Sequence, residues 1–216
     1  MKIFLSLILA AALLPAQVAD KANSGYKTKE GRDRVANSLD APNRDATEHP
    51  EDLVAHLSLS QGMTVADVGT GTGYMLPFLS KAVGSAGKVL GEDIQTDFLD
   101  RAKAKIDADK LTNVELVLGT DRTPKLPDAA VNVVLILDAY HHFDYPAEML
   151  SAIRRSLKPG GHLVIVDYYK NAGPGPGHIR LDRDDVAKEI QSNGFHLLSN
   201  RDHLPNVQYM LTFEAR

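Results

Sequence analysis

Acidic and glycine residues gather where apolar runs end, and the densest gathering is Val-Ala-Asp-Val-Gly-Thr-Gly-Thr-Gly at residues 65–73. Glycine has no Cβ, so a turn built on Gly69, Gly71 and Gly73 can take positive φ and bring backbone close to a ligand. The amphipathic segment Tyr74–Val83 follows and reads as a helix, whose first amides point unpaired N–H groups into the turn. Strand, tight turn and helix in this order make a nucleotide-type cofactor site. A dinucleotide fingerprint would need G-x-G-x-x-G, but Tyr74 stands where the third glycine belongs. A phosphate loop fails too: the nearest string, Gly87-Lys88, has Ala82 in place of its first glycine and Val89 after the lysine. Asp67 lies two positions before Gly69. A carboxylate there would repel a pyrophosphate and attract an ammonium or sulfonium. The turn is suited to a ligand that carries positive charge and no phosphate.

The pattern Asp67-x-Gly69-x-Gly71-x-Gly73 resembles the first motif of class I S-adenosylmethionine-dependent methyltransferases, and the resemblance runs over roughly residues 50–170. Leu-Lys-Pro-Gly-Gly at residues 157–161, before a strand, is a second hallmark. The resemblance implies a Rossmann-like α/β fold, a seven-stranded mostly parallel sheet with helices on both faces and its last strand antiparallel. It implies S-adenosylmethionine as cofactor, held by Asp67, Gly69, Thr70, Gly71 and Gly73. The run Lys88–Asp93 looks like the second strand, whose terminal acid hydrogen-bonds the ribose hydroxyls; Asp93 fits that place and its neighbour Glu92 is the alternative. A carboxylate accepting two hydroxyls makes charge-assisted bonds. The separation of Asp93 from Gly69 is close to the roughly 20 residues of a βαβ unit. Asp121, or its neighbour Arg122, falls where the family contacts the adenine.

Open sheets of this kind bind ligands at the carboxyl ends of their strands. Asp138-Ala139-Tyr140-His141-His142-Phe143 occupies one such end, in the segment that lines the methyl group and the acceptor in the family. Methyl transfer from a sulfonium is an in-line displacement, in which alignment supplies about 7–11 kcal/mol. A base is needed only for a protonated acceptor, and histidine suits that role near neutral pH. His141 is the first candidate for base or acceptor-orienting residue, His142 the second, with Tyr140 beside them. Successive residues of extended chain point to opposite faces, so the two histidines are expected to differ in role. Asp138 is assigned to the methionine end of the cofactor or to polarising a histidine. A metal site is not expected, because no third ligand lies at useful spacing from the pair. Tyr168–His178 alternates glycine and proline and reads as a loop at the acceptor edge, with Tyr168 and His178 within reach of the acceptor.

The positioning elements follow an α/β rhythm. Residues 20–49 are polar and are expected to form a loose arm with a short helix, folding over the cofactor. Pro50 opens a helix carrying Leu53, Val54 and Leu57. Thr96–Ala108 is a crossover helix with Phe98, Leu99, Ala102 and Ile106 on one face. Val114–Leu118 and the continuous apolar run Val131–Leu137 are strands, the latter central. Pro146 starts a helix stopped by Lys158-Pro159-Gly160-Gly161; His162–Val166 is strand five. Arg183–Asn193 is the last helix, and Phe195–Ser199 and Gln208–Phe213 the last two strands.

The chain has 216 residues, a net charge of −4 and no cysteine. That length fits one domain, residues 50–216, behind the arm. With no basic stripe, nucleic acid is not an expected partner; a small-molecule acceptor is, and the oligomeric state is open. Without thiols there is no disulfide, no thiolate metal site and no cysteine nucleophile, which also argues against the cysteine-dependent arsenic methyltransferases. Met1-Lys2, the apolar run Ile3–Leu14 and Pro15–Ala19 form a signal peptide over residues 1–19. Cleavage falls after Ala19 or Ala16, with Gln17 or Leu14 at the −3 position. The run is short of the about 20 apolar residues of a span, so the mature chain is expected in the periplasm or secreted, with an uncleaved anchor as the alternative. The rival functions are a non-catalytic adenosyl-ligand-binding protein and an NAD-dependent oxidoreductase.

Overall fold

The computed structural model of the chain describes residues 17–216. The Ile3–Leu14 run and Ala16 lie outside them, and with them most of the expected leader. Val18 N–H does reach the Asp144 carbonyl at 3.3 Å, and Ala19 N–H the Asp144 Oδ1 at 3.2 Å. Cleavage after Ala16 would retain these contacts and cleavage after Ala19 would remove them. No helix among the described residues is long and apolar enough to cross a membrane.

One sheet organises the fold. Its strands are β1 (Thr64–Val68), β2 (Lys88–Asp93), β3 (Val114–Leu118), β4 (Val131–Leu137), β5 (Leu157–Tyr168), β6 (Phe195–Leu204) and β7 (Gln208–Ala215), in the order β3-β2-β1-β4-β5-β7-β6. Neighbours pair in parallel except β7, which runs antiparallel to both β5 and β6. This is the expected Rossmann-like sheet.

The β4 sequence Val-Asn-Val-Val-Leu-Ile-Leu shows why that strand is central. Its alternate residues feed two separate cores: Val134 and Ile136 enter one, Val133, Leu135 and Leu137 the other. Helices α6 (Pro146–Ser156) and α7 (Arg183–Ser192) cover the first face with Leu150, Ile153, Val186 and Ile190. Helices α3 (Pro50–Ala55), α4 (Leu76–Val83) and α5 (Thr96–Ala108) cover the second with Leu53, Leu76, Leu79 and Ala102. Each such fully buried aliphatic side chain contributes about 1.5–3 kcal/mol. Proline opens α3 and α6 at a position where its missing N–H is not needed.

Three expectations change. The segment over residues 20–49 is not loose: a 3-10 turn (Ala22–Tyr26), α1 (Lys29–Leu39) and α2 (Arg44–Glu48) fill it. Thr28 caps α1 by accepting the Gly31 amide, and Arg32 Nε donates to Asp97 of α5 at 2.7 Å, so long-range pairing orders a polar sequence. Helix α4 starts at Leu76, because Gly73 and Tyr74 continue the turn. Finally, β5 begins at Leu157: Lys158-Pro159-Gly160-Gly161 stops α6 as expected, but is itself taken up at the strand's irregular start, where the β4 pairing shifts register.

Strand order reverses between β1 and β4, and a crevice opens at their carboxyl ends. Ile136 is fully buried in β4 and Leu118 is 46% exposed at the end of β3. Ile136→Ala is expected to cost about 2–5 kcal/mol in urea unfolding, and Leu118→Ala no more than about 0.5 kcal/mol.

Candidate active site

The first wall of the crevice is the turn after β1. Gly69 has φ +78°, and a Cβ there would lie 2.5 Å from the Cβ of Ala139. The Gly69 and Thr70 amides both donate to the Glu92 carbonyl, at 2.9 and 2.8 Å, tying the turn to the end of β2. Thr70 gives its hydroxyl to Asp67 Oδ2 at 2.6 Å. Asp93 Oδ2 accepts the Gly71 amide at 2.9 Å and Oδ1 the Gln95 amide at 2.8 Å. Three local hydrogen bonds thus aim two acids, Asp67 and Asp93, into the same space.

That space is a crevice of about 330 Å³, within the usual range for small-ligand sites. Asp67, Glu92, Asp93, Asp121 and Asp138 all border it. Burial pushes the Asp67 carboxyl up to about 6, against the pull of its Thr70 hydrogen bond. Asp93 is likewise raised to about 6 by burial, with the amides of Gln95, Gly71 and Ile94 opposing. Glu92 is raised well above the ordinary carboxyl range by burial and then by Asp93, and its Oε1 has no partner among the described residues. Arg122 turns away from the crevice to pair with Glu148.

Asp138 sits at the end of β4 with φ +50°. Gln208 of β7 donates to both its oxygens, at 3.0 and 2.9 Å, and also to Glu48 Oε2 of α2 at 2.8 Å. One amide therefore bridges two carboxyls. Removal from bulk water, then the charges of Glu48 and Asp167, hold the Asp138 carboxyl well above its ordinary value. Asp138 does not polarise a histidine; its side chain is engaged by Gln208.

The histidine segment departs most from expectation. Tyr140–His142 is a 3-10 turn, not extended chain, so the two imidazoles lie side by side with centroids 4.1 Å apart. Asp167 of β5 orients His141: Oδ1 accepts from Nδ1 at 2.7 Å and Oδ2 accepts the His141 amide at 3.1 Å, both groups buried. His141 stands behind the crevice, and His142 lines it. Asn23, from the 3-10 turn of the arm, donates to the His142 carbonyl at 3.0 Å and so presents its Oδ1 to His142 Nδ1, 2.9 Å away. The Nδ1–H tautomer follows, leaving the Nε2 lone pair facing the Tyr26 hydroxyl at 3.3 Å. Burial, then His141 and His178, hold the His142 pKa well below its ordinary value, so its imidazole is neutral.

Tyr140 is removed from the candidate catalytic set. Its ring is buried in the α6–α7 core and its hydroxyl donates to Glu189 Oε1 at 2.7 Å. The expectation that no third imidazole accompanies the histidine pair is also overturned: His178 of the loop before α7 brings its ring centroid 5.0 Å from that of His141 and 5.3 Å from that of His142. Sequence reasoning missed Asn23, Tyr26, Glu48, Asp167 and Gln208. Only the acid ending β5, Asp167, carried a usable signal, its place at a strand's carboxyl end.

The crevice chemistry fits an adenosyl sulfonium. Its carboxyls accept hydroxyl and amino protons and favour positive charge. The chain matches the methyltransferase domain family over residues 66–165. It is similar to a crystal structure of an S-adenosylmethionine-dependent methyltransferase from Aquifex aeolicus, with 30% identity, a TM-score of 0.78, and coverage of 83% of this chain and 96% of that one. It is 30% identical to a ubiquinone/menaquinone biosynthesis C-methyltransferase of Salmonella arizonae, over 72% of this chain and 56% of the relative. It is 28% identical to an arsenite methyltransferase of Halobacterium salinarum, over 61% of this chain and 34% of the relative. The chain spans from about a third to just over half the length of the curated relatives it matches.

A raised carboxyl pKa makes the folded state bind protons that the unfolded state has lost, so the ionised buried acid costs stability as pH rises. Asp93→Asn removes that ionisation. The stability of the ligand-free variant relative to the parent is expected to rise by on the order of 2–3 kcal/mol between about pH 4 and pH 7. Paired denaturation curves across that range check it; a difference independent of pH would place Asp93 in contact with bulk water.

Proposed function

Since the chain belongs to the class I S-adenosylmethionine-dependent methyltransferases, we propose that it transfers the methyl group of that cofactor to a small, largely apolar acceptor bound beside His142. The observation that carries this reading is the single crevice in which the donor-type acids and the His142 imidazole meet. S-adenosylmethionine brings an activated methyl group, so the protein's task is alignment and charge placement.

The chain's residues divide that task. Asp93, fixed by two amides, is placed to accept the ribose hydroxyls, and Asp121 to accept from the adenine amino group. Gly69 and Gly71 let the backbone approach the ligand. Asp138, held by Gln208, lines the crevice together with Asp67 and gives the amino-acid end carboxyl acceptors for its ammonium. Phe98, Phe143, Met149 and Tyr26 supply an apolar wall, which favours a ring or aliphatic acceptor over a charged one. His142 Nε2, neutral and facing the Tyr26 hydroxyl, positions the acceptor's polar atom as a hydrogen-bond acceptor. The relatives named for quinone precursors and for arsenite bracket the acceptor choice. The lack of cysteine favours the former, because arsenite chemistry leans on thiolates.

Calorimetry is expected to show binding of S-adenosylmethionine and S-adenosylhomocysteine but not of NAD. Asp93→Ala should weaken donor binding by about 1.5–3 kcal/mol; unchanged affinity would remove Asp93 from the ribose role. His142→Ala should lower turnover by about 10²-fold or more with donor affinity retained. Equal rates for variant and parent, with an acceptor found by screening quinone precursors, would dismiss His142.

A further inference from the structure

His141, His142 and His178 can each offer one nitrogen such that the three atoms lie within 4.8 Å of one another, a cluster that donor binding does not use. Two of the rings are already oriented as metal ligands usually are. The Asp167 carboxylate holds His141 through Nδ1 and so turns Nε2 outward; Asn23 does the same for His142. A carboxylate or carbonyl acceptor on the rear nitrogen fixes the tautomer and strengthens the front one. The third ring comes from the glycine- and proline-rich loop between β5 and α7, and is partly exposed.

We propose that these three histidines bind a divalent transition metal ion, with zinc as the fitting case. Three neutral imidazoles with no carboxylate suit zinc, nickel or copper rather than magnesium or calcium. Zn–N bonds of about 2.0–2.1 Å in a tetrahedron put the nitrogens about 3.3 Å apart, so the cluster closes by a small inward movement of the His178 loop. The ion takes the Nε2 lone pair that Tyr26 now engages, and staples that loop to the end of β4. The cluster borders the crevice through His142, so the fourth coordination position opens toward the acceptor end. There it can hold an acceptor's oxygen and lower the pKa of its hydroxyl, the proton passing to solvent water. This last role rests on the proposed transferase reading and takes the place of His142 Nε2's own contact with the acceptor, since the ion occupies that lone pair; the metal site itself rests on neither.

The test uses the full chain without an affinity tag, stripped of metal and titrated with zinc chloride by calorimetry, then with cobalt(II) chloride by visible absorption. The expected result is one ion per chain at micromolar affinity, with the visible bands of four-coordinate cobalt. His178→Ala should abolish the cobalt bands and weaken zinc by at least about tenfold, and Asp167→Asn should weaken it by about 10–100-fold. His178→Ala should leave S-adenosylmethionine affinity unchanged, so the two readings fail separately. Zinc binding absent, or undiminished in His178→Ala and therefore owed to surface histidines such as His49 and His56, would overturn the site.

Discussion

Taking carboxyls out of water is the constraint around which this molecule is arranged. Asp67, Glu92 and Asp93 are each at most 8% exposed at one edge of the sheet. An ionised acid in such a place is tolerated only when amides, hydroxyls or a cation face it. The turn after β1 supplies the amide of Gly71 and the hydroxyl of Thr70, and the start of α5 supplies Gln95. These partners are enough to aim the acids and not enough to neutralise them. The remaining deficit is what a cationic, hydroxyl-bearing ligand can satisfy, so the site's selectivity follows from an unfinished electrostatic account in the protein itself.

The sheet and the first wall of the crevice were legible in the sequence because both are local. Three glycines within five residues dictate a turn, and continuous apolar runs dictate central strands. The bounds of α5, β3 and β4 agree with the periodicity because nothing from elsewhere redirects them. The histidine side of the crevice was not legible for the opposite reason. Tyr140–His142 winds into a 3-10 turn, which removes the alternation on which the expected division of roles rested. Its consequences still fell partly in line, with one imidazole buried and one lining the crevice, but the cause is Asp167 and Asn23 rather than strand geometry. Those two residues lie far from the histidines in sequence and nothing local marks them as partners.

Residues 20–49 show the same principle at the level of an element. Their polarity suggested looseness. Instead, charges that would be solvent-facing on an isolated helix meet partners on α5: Arg101 donates to Asn37 and Asp40 of the arm, and Arg32 to Asp97. Each exposed pair is worth little alone, while Tyr26 adds an edge-on contact with Phe98 at 5.9 Å and one with His142 at 4.9 Å. The arm is therefore part of the crevice wall, and the crevice-lining imidazole owes its tautomer to it.

Gln208 gives the molecule an order of completion. Its amide joins α2 to the end of β4, yet it belongs to the antiparallel strand that is synthesised after every other part of the crevice. Without that amide, Glu48 and Asp138 would have no donor between them, and each charge would disfavour the other's ionisation. The glycine turn and the floor of the crevice are thus tied to different strands, β2 and β7, and the pocket is a property of the finished sheet rather than of either motif.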